Sequence, residues 1–141
     1  MMLTIRDTTI EDLMFFYNNV RPLDKVEFSL MSGIRLADAR LLSLGDTQVL
    51  VDEDDRVYAL GGIDGNFIWL LCTTLVEEHP ITFLKACRAY FKSWIGDRVL
   101  TNFVWENNVL HIRWLKWLGA VFTPEQPIKY FRQFVLNGKD W

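Results

Sequence analysis

The stretch from Val99 to Phe122, VLTNFVWENNVLHIRWLKWLGAVF, constrains the fold of this chain more than any other. It opens as an apolar run in which Val99, Phe103 and Trp105 are strand formers, and it breaks at Glu106-Asn107-Asn108. The Asn pair is placed to end the strand and to cap a helix. Beyond it His111, Ile112, Leu115 and Leu118 recur at helical spacing and define one buried face. Gly119 is positioned to stop that helix, and Phe122 returns to the core. The stretch is a strand followed by a helix.

The remainder of the chain supplies the partners for this unit. Leu3 and Ile5 alternate with polar neighbours and predict a short first strand, and Thr8-Thr9-Ile10-Glu11 has capping-box spacing at the start of a helix through Leu13, Met14 and Tyr17. Pro22 ends that helix, and Leu23 to Leu44 reads as one helix or two, interrupted near Ser32-Gly33. Its charges, Asp24, Glu27, Asp38 and Arg40, read as a solvated face.

From Gln48 to Thr74 the period changes to two, predicting three strands separated by the turn Asp52–Asp55 and by Asp64-Gly65, an antiparallel meander. Its middle strand ends in Gly61-Gly62, which implies a bulge or a close backbone approach. Phe67 to Cys72 is apolar on both faces and belongs at the sheet centre. A helix from Pro80 to Ile95 follows, with Phe83, Leu84, Cys87, Phe91, Trp94 and Ile95 on its buried side and Gly96 as its cap. Lys85, Arg88 and Lys92 share the opposite, solvated face. Pro124 and Pro127 frame a loop, and Tyr130 to Leu136 reads as a closing strand. The expected fold class is α/β (α+β), one domain over 1–141, with helices on both faces of a mostly antiparallel sheet.

Half of the residues are apolar, so the chain builds a full core. A net charge of -3 argues against coating nucleic acid through bulk charge. Cys72 and Cys87 form neither a disulfide framework nor a metal-ligand spacing, and read as buried, reduced thiols. MMLTIRDTTIED turns polar before any signal-peptide core forms, and no apolar run approaches the roughly 20 residues of a membrane span.

Two segments carry a family resemblance. TIRDTTIEDL, through Ile5, Arg6, Thr9 and Asp12, and the Val99–Phe122 unit, with its Asn after the strand and its Gly with an aromatic close behind, resemble the GNAT (Gcn5-related N-acetyltransferase) fold. NFVWENN, HIRWLK and LGAVF are similar to the small GNAT-like proteins of short-tailed bacteriophages, including the internal virion protein A group. The resemblance implies a three-layer sandwich with a central mixed sheet. It also implies where chemistry would sit.

In GNAT enzymes the pyrophosphate of acetyl-coenzyme A rests on a loop of the type Arg/Gln-x-x-Gly-x-Gly/Ala before the helix that follows the fourth strand. Backbone N–H groups and the positive end of the helix dipole favour the anion there. The matching segment here, Thr73-Thr74-Leu75-Val76-Glu77-Glu78-His79-Pro80, contains no glycine and no arginine. Glu77 and Glu78 oppose an anion, by roughly a kcal/mol or more each at about 5 Å and intermediate dielectric, and Pro80 removes a donor. The family's general acid, a tyrosine four residues before the helix-ending glycine, corresponds to Leu115, which has no proton to give. Nothing in the sequence places Tyr90 or Tyr130 as a substitute.

The remnant of a coenzyme site is Leu71, Cys72 and Thr73, whose strand backbone would hold the pantetheine arm, and the motif residue Asn108, with Glu106 and His111 nearby. Asn108 reads more simply as a helix cap. Cys72 with His111 has the elements of a nucleophile and base, but a core histidine bonded to backbone is the favoured reading.

Trp114 and Trp117 flank the buried face of the last helix, with Trp117 turned towards solvent beside Arg113 and Lys116. With Trp141 they form a candidate interface set (Trp114, Trp117, Arg113, Trp141), the alternative being cover by a loop or by the C-terminal tail. Arg113 stacked on Trp117 suits either case.

The first expectation is a phage virion-associated or assembly protein on a catalytically degenerate GNAT fold, without a cofactor. It would act in several copies through contacts with phage structural proteins of the internal core, portal or tail. It would reside in the virion, and in the host cytoplasm during infection, with no direct nucleic-acid or membrane partner. The alternative is an N-acyltransferase that holds acetyl-coenzyme A in a non-standard way. A lesser possibility is a host-directed binding module.

Overall fold

Alternating and helical stretches succeed one another as β1 (Thr4–Asp7), α1 (Ile10–Asn19), α2 (Pro22–Ser32), β2 (Gln48–Val51), β3 (Val57–Asp64) and β4 (Phe67–Cys72). After these come α3 (Leu75–Glu78), α4 (Pro80–Ile95), β5 (Val99–Trp105), α5 (Val109–Trp117), β6 (Val121–Phe122), β7 (Phe131–Asn137) and a 3-10 turn at Gly138–Asp140. The structure is a computed structural model that describes residues 1–36 and 47–140. The expectations for Asp38, Arg40, the far half of the 23–44 segment and Trp141 lie outside the described residues.

Among the described residues seven strands join one sheet in the order β1-β2-β3-β4-β5-β7-β6. Every pairing is antiparallel except that of β4 with β5. That parallel pair meets only at Phe67 and Thr101, after which the strands diverge. The side chain of Asn102 bridges the opening by donating to the Ile68 carbonyl at 2.7 Å, while its Oδ1 accepts from the Phe103 amide at 2.7 Å. A side chain thus takes over bonds that a continuous ladder would make, and β4 lies at the centre of the sheet as its two apolar faces require.

Alternation along the strands sends side chains to two cores. Val49, Val51, Val57, Leu60 and Leu71 pack with Phe16 and Leu36 on the α1–α2 side. Leu50, Tyr58, Cys72 and Val104 pack with Phe83, Cys87, Phe91, Ile112, Trp114 and Leu118 on the α4–α5 side. Helices therefore cover both faces, and the expected three layers are present.

Local chemistry explains the boundaries. Thr9, rather than Thr8, caps α1, and Asp12 completes the capping box. Arg6 grips Asp12 through two bonds of 2.5 and 2.9 Å. Burial works against the Asp12 charge, but the bonds from Arg6 and Thr9 hold its carboxyl below the ordinary range. Pro22 starts α2 instead of merely ending α1, because its missing N–H falls in a first turn that leaves such donors unpaired. The middle strand runs past Gly61-Gly62 to Asp64. Gly61 serves close approach, since a Cβ there would lie 2.6 Å from the Trp69 carbonyl oxygen. The register irregularity lies instead opposite Leu50 and Val51.

Candidate functional site

The chain between α1 and α2 is tied to the end of β4 by backbone bonds: the Arg21 amide donates to the Cys72 carbonyl and the Thr74 amide to the Asn19 carbonyl, both at 2.9 Å. This docking sets the first turn of α2 against the point where β4 and β5 separate. Asp24 and Glu27, read from the sequence as a solvated face, lie there instead. Asp24 is 1% exposed.

Asp24 survives burial because its oxygens are occupied. Oδ2 accepts from the Cys72 amide at 2.7 Å, and Oδ1 accepts from Arg21 at 2.6 Å and from Asn108 Nδ2 at 3.2 Å. Arg21 is buried too, and its Nε donates to Glu77 at 2.7 Å. Burial works against the guanidinium charge, yet Glu77 and Asp24 hold its pKa above the ordinary value. Asn108 does not cap α5 with its side chain. It donates to Glu27 at 2.6 Å as well as to Asp24, so its amide joins α5 to α2. Glu27 also accepts from the Trp105 amide at 3.3 Å on β5.

His111 closes the cluster. It is not a backbone-bonded core histidine: Nε2 lies 3.3 Å from Asp24 Oδ1, is buried, and makes no hydrogen bond. Burial pushes its pKa down, against the pull of Asp24. Burial also raises the Cys72 thiol well above its usual range. The structure brings Cys72 and His111 together, but both are driven towards their neutral forms, the reverse of an activated thiolate pair.

Glu27 is the titratable member. Burial, opposed by its bonds from Asn108 and Trp105 and reinforced by Asp24, pushes its pKa up to about 7. Between the ordinary carboxyl range and that value the folded protein holds a proton that the unfolded chain has released. Stability is then greatest below the ordinary carboxyl pKa and falls as pH rises through the folded one, by on the order of 2 kcal/mol. Chemical unfolding at about pH 5 and about pH 8 measures this, and Glu27→Gln, which mimics the protonated side chain, is expected to flatten the profile.

Beside the cluster, between the diverging strands, lies a cavity of about 280 Å³. Its walls are mainly apolar, from Leu70, Phe103, Leu115 and Phe134 among others, and Asp24, Glu27 and His111 line one part. Among the described residues no tyrosine lines it, and Leu115, the residue that the resemblance matches to a general acid, is part of its wall. Tyr90 borders a smaller hollow against β2, and Tyr130 is exposed before β7.

The backbone groups of the expected coenzyme remnant have partners within the protein. Leu71 pairs with Leu60 in the β3–β4 ladder. The Cys72 amide is held by Asp24, and the Thr73 amide donates to the Tyr58 carbonyl at 3.0 Å. Further along the loop the Thr74, Val76 and Glu77 amides donate to Asn19, Thr73 and Thr74 carbonyls. A phosphate cradle needs such donors unpaired. Glu106 stays exposed, accepting from Gln126 at 3.3 Å.

The interface set divides. Trp114 is 9% exposed and packs against Phe83 in the core at 5.3 Å between ring centroids, so it is withdrawn from any surface role. Trp117 is 47% exposed. The guanidinium over its ring, at 5.5 Å, belongs to Arg88 of α4 and not to the exposed Arg113. Sequence reasoning misses Arg21, Asp24 and Glu27 because, apart from the Arg21–Asp24 pair three residues apart, their partners are remote along the chain. The one available signal is Pro22 at a helix start, which places Asp24 in the first turn.

Comparison with known proteins agrees with this architecture. The apo form of YjaB from Escherichia coli is 18% identical over 97% of both chains, with a TM-score of 0.59. A GNAT-family acetyltransferase from Bacillus cereus is 13% identical over 97% of this chain and 98% of its own, with a TM-score of 0.64. A GNAT-family acetyltransferase from Bacillus anthracis is 10% identical over 99% and 96%, with a TM-score of 0.66. Among curated protein sequences none matches significantly. A family model described as "Bacteriophage T7, probable scaffold protein Gp13" matches residues 47–126, more than half of the 141-residue chain. The sheet order, the β4–β5 divergence and these matches together make this a GNAT-fold protein that belongs to the phage T7 Gp13 family of probable scaffold proteins.

Proposed function

We propose that this protein is a virion-associated or assembly protein in which the GNAT fold has lost its enzymatic role and serves contacts with phage structural proteins of the core, portal or tail. Membership of a probable scaffold family supports a role in the particle. The observation that carries the loss of chemistry is the Arg21–Glu77 pair beside a loop whose Thr74, Val76 and Glu77 amides are all internally bonded. That arrangement leaves a pyrophosphate few donors and an opposing carboxylate. Leu115 supports the same reading. No helix among the described residues is long and apolar enough to cross a membrane.

Trp117, half exposed beneath Arg88, is the anchor we assign to a partner contact, because tryptophan and arginine dominate the energetically important part of protein interfaces. Trp117→Glu is expected to leave a soluble protein with nearly unchanged melting, since the ring is outside the core. Incorporation into particles, read by immunoblot when the variant is the sole copy, should fall at least about tenfold, the loss of one such anchor. Unchanged incorporation would remove Trp117 from the interface.

A second reading, an acyltransferase with a non-standard coenzyme site, is favoured by one observation: the cavity between β4 and β5 carries Glu27, whose pKa of about 7 suits a general base. Fold alone is a weak warrant for this chemistry.

A further inference from the structure

Asp24, Cys72 and His111 come from α2, β4 and α5, and neither composition nor spacing links them. One ligand atom from each lies within 4.8 Å of the other two. An oxygen, a thiol sulfur and an imidazole nitrogen are the donor types that zinc-class ions select. We propose that these three side chains form a binding site for a borderline-soft divalent metal of the zinc class.

The geometry carries the proposal. Bond lengths of about 2.0–2.3 Å around a tetrahedral zinc put neighbouring ligand atoms roughly 3.3–3.8 Å apart. His111 Nε2 and Asp24 Oδ1 are already 3.3 Å apart. The outer limit of 4.8 Å means that a sulfur shift of about 1 Å completes the triangle. His111 Nε2 is buried with no hydrogen-bond partner, an unusual state for an imidazole nitrogen, and a metal bond satisfies it. Asp24 and His111 also line the cavity, which leaves the remaining coordination position on the cavity side for water or another donor.

Competing contacts are present and set the form of binding. Arg21 occupies Asp24 Oδ1 at 2.6 Å, and Asn108 donates to the same oxygen at 3.2 Å. Asn108 keeps its shorter bond to Glu27, so the 3.2 Å bond is the one a metal replaces. Arg21 stays paired with Glu77. Two carboxylates, Asp24 and Glu77, pair with this one guanidinium, so the cluster has acidic charge to balance an added cation. Binding forms S–metal, N–metal and O–metal bonds, releases the Cys72 thiol proton to solvent, and uses neutral His111 protonated at Nδ1.

The test is Co²⁺ titration of the full chain, purified with chelator and then freed of it. One equivalent is expected to give a thiolate-to-cobalt charge-transfer absorption that Zn²⁺ abolishes by displacement. Cys87→Ser should retain the band, and Cys72→Ser and His111→Gln should each lose it while keeping their circular dichroism. Should Cys72→Ser fail to fold, His111→Gln decides the matter, since its ring sits at the cavity edge. Absence of the band in the wild-type protein, or its survival in folded His111→Gln, overturns the proposal. An upward melting shift with Zn²⁺ that persists in His111→Gln does so equally, by locating binding elsewhere.

Discussion

Replacing Asp24 with alanine is expected to destabilise the protein by about 3–5 kcal/mol, the range for removing one partner of a buried ion pair. The cost arises from what is left behind. Arg21 keeps Glu77, but loses the 2.6 Å bond from Nη1; the Cys72 amide loses its 2.7 Å acceptor; and Asn108 loses one of its two carboxylate partners. All three groups are buried, so water does not replace the missing acceptor cheaply. Domains of this size are stable by about 5–15 kcal/mol in total, and the variant should show a large fall in the urea midpoint or fail to accumulate. A change below about 1 kcal/mol would mean that the cluster is not the joint that holds α2, β4 and α5 together.

Gly138→Ala is the second large effect, and it acts on the far end of the sheet. A Cβ at position 138 would lie 1.9 Å from the Gly96 carbonyl oxygen and 2.8 Å from Ile95 Cγ2. The nearer atom belongs to backbone, so no side-chain rotation relieves the clash. The Gly138 amide also donates to the Arg98 carbonyl at 2.9 Å, which fixes the turn after β7 against the α4–β5 connection. Overpacking of this kind costs about 1–3 kcal/mol, and because backbone must move the upper end is expected. Thermal unfolding measures it, and a melting point equal to the wild type would contradict the packing of that turn.

The fold is legible in the sequence wherever local period and punctuation decide structure. The meander from Gln48, the helix between Pro80 and Gly96 and the unit from Val99 to Gly119 each carry period, start and stop within a few residues. The Ile5–Asp12 match corresponds to a salt bridge and capping box that are complete within eight residues. Contacts made across the chain stay hidden in a linear reading. Asn108 has the type and place of a cap, but carboxylates brought from 84 and 81 residues away compete for its amide. Asp24 and Glu27 look solvated because their burial depends on how the α1–α2 link docks on β4. Trp114 and Trp117 differ by three residues, less than a full helical turn, and only the position of Phe83 and Arg88 on α4 decides which ring is covered.

The same cross-chain contacts bear on function. In the segment that the resemblance matches to a coenzyme loop, the lack of glycine and arginine coincides with a structural feature: the Thr74, Val76 and Glu77 amides are bonded within the protein, and Glu77 pairs with a buried guanidinium. On the proposed reading, a pyrophosphate there would meet the Glu77 carboxylate and find the Thr74, Val76 and Glu77 amides already bonded. The cavity between β4 and β5 persists without it, as a feature of the diverging strands.

Thermal unfolding of the purified protein with and without millimolar acetyl-coenzyme A tests the loss of coenzyme chemistry most directly. A ligand present at one hundred times its dissociation constant adds about 2.7 kcal/mol, which is several degrees for a domain of this size. The expected result is no shift with acetyl-coenzyme A or with coenzyme A. A reproducible rise of several degrees would contradict the proposed loss, and would place Glu27 at the head of the candidates for a working base.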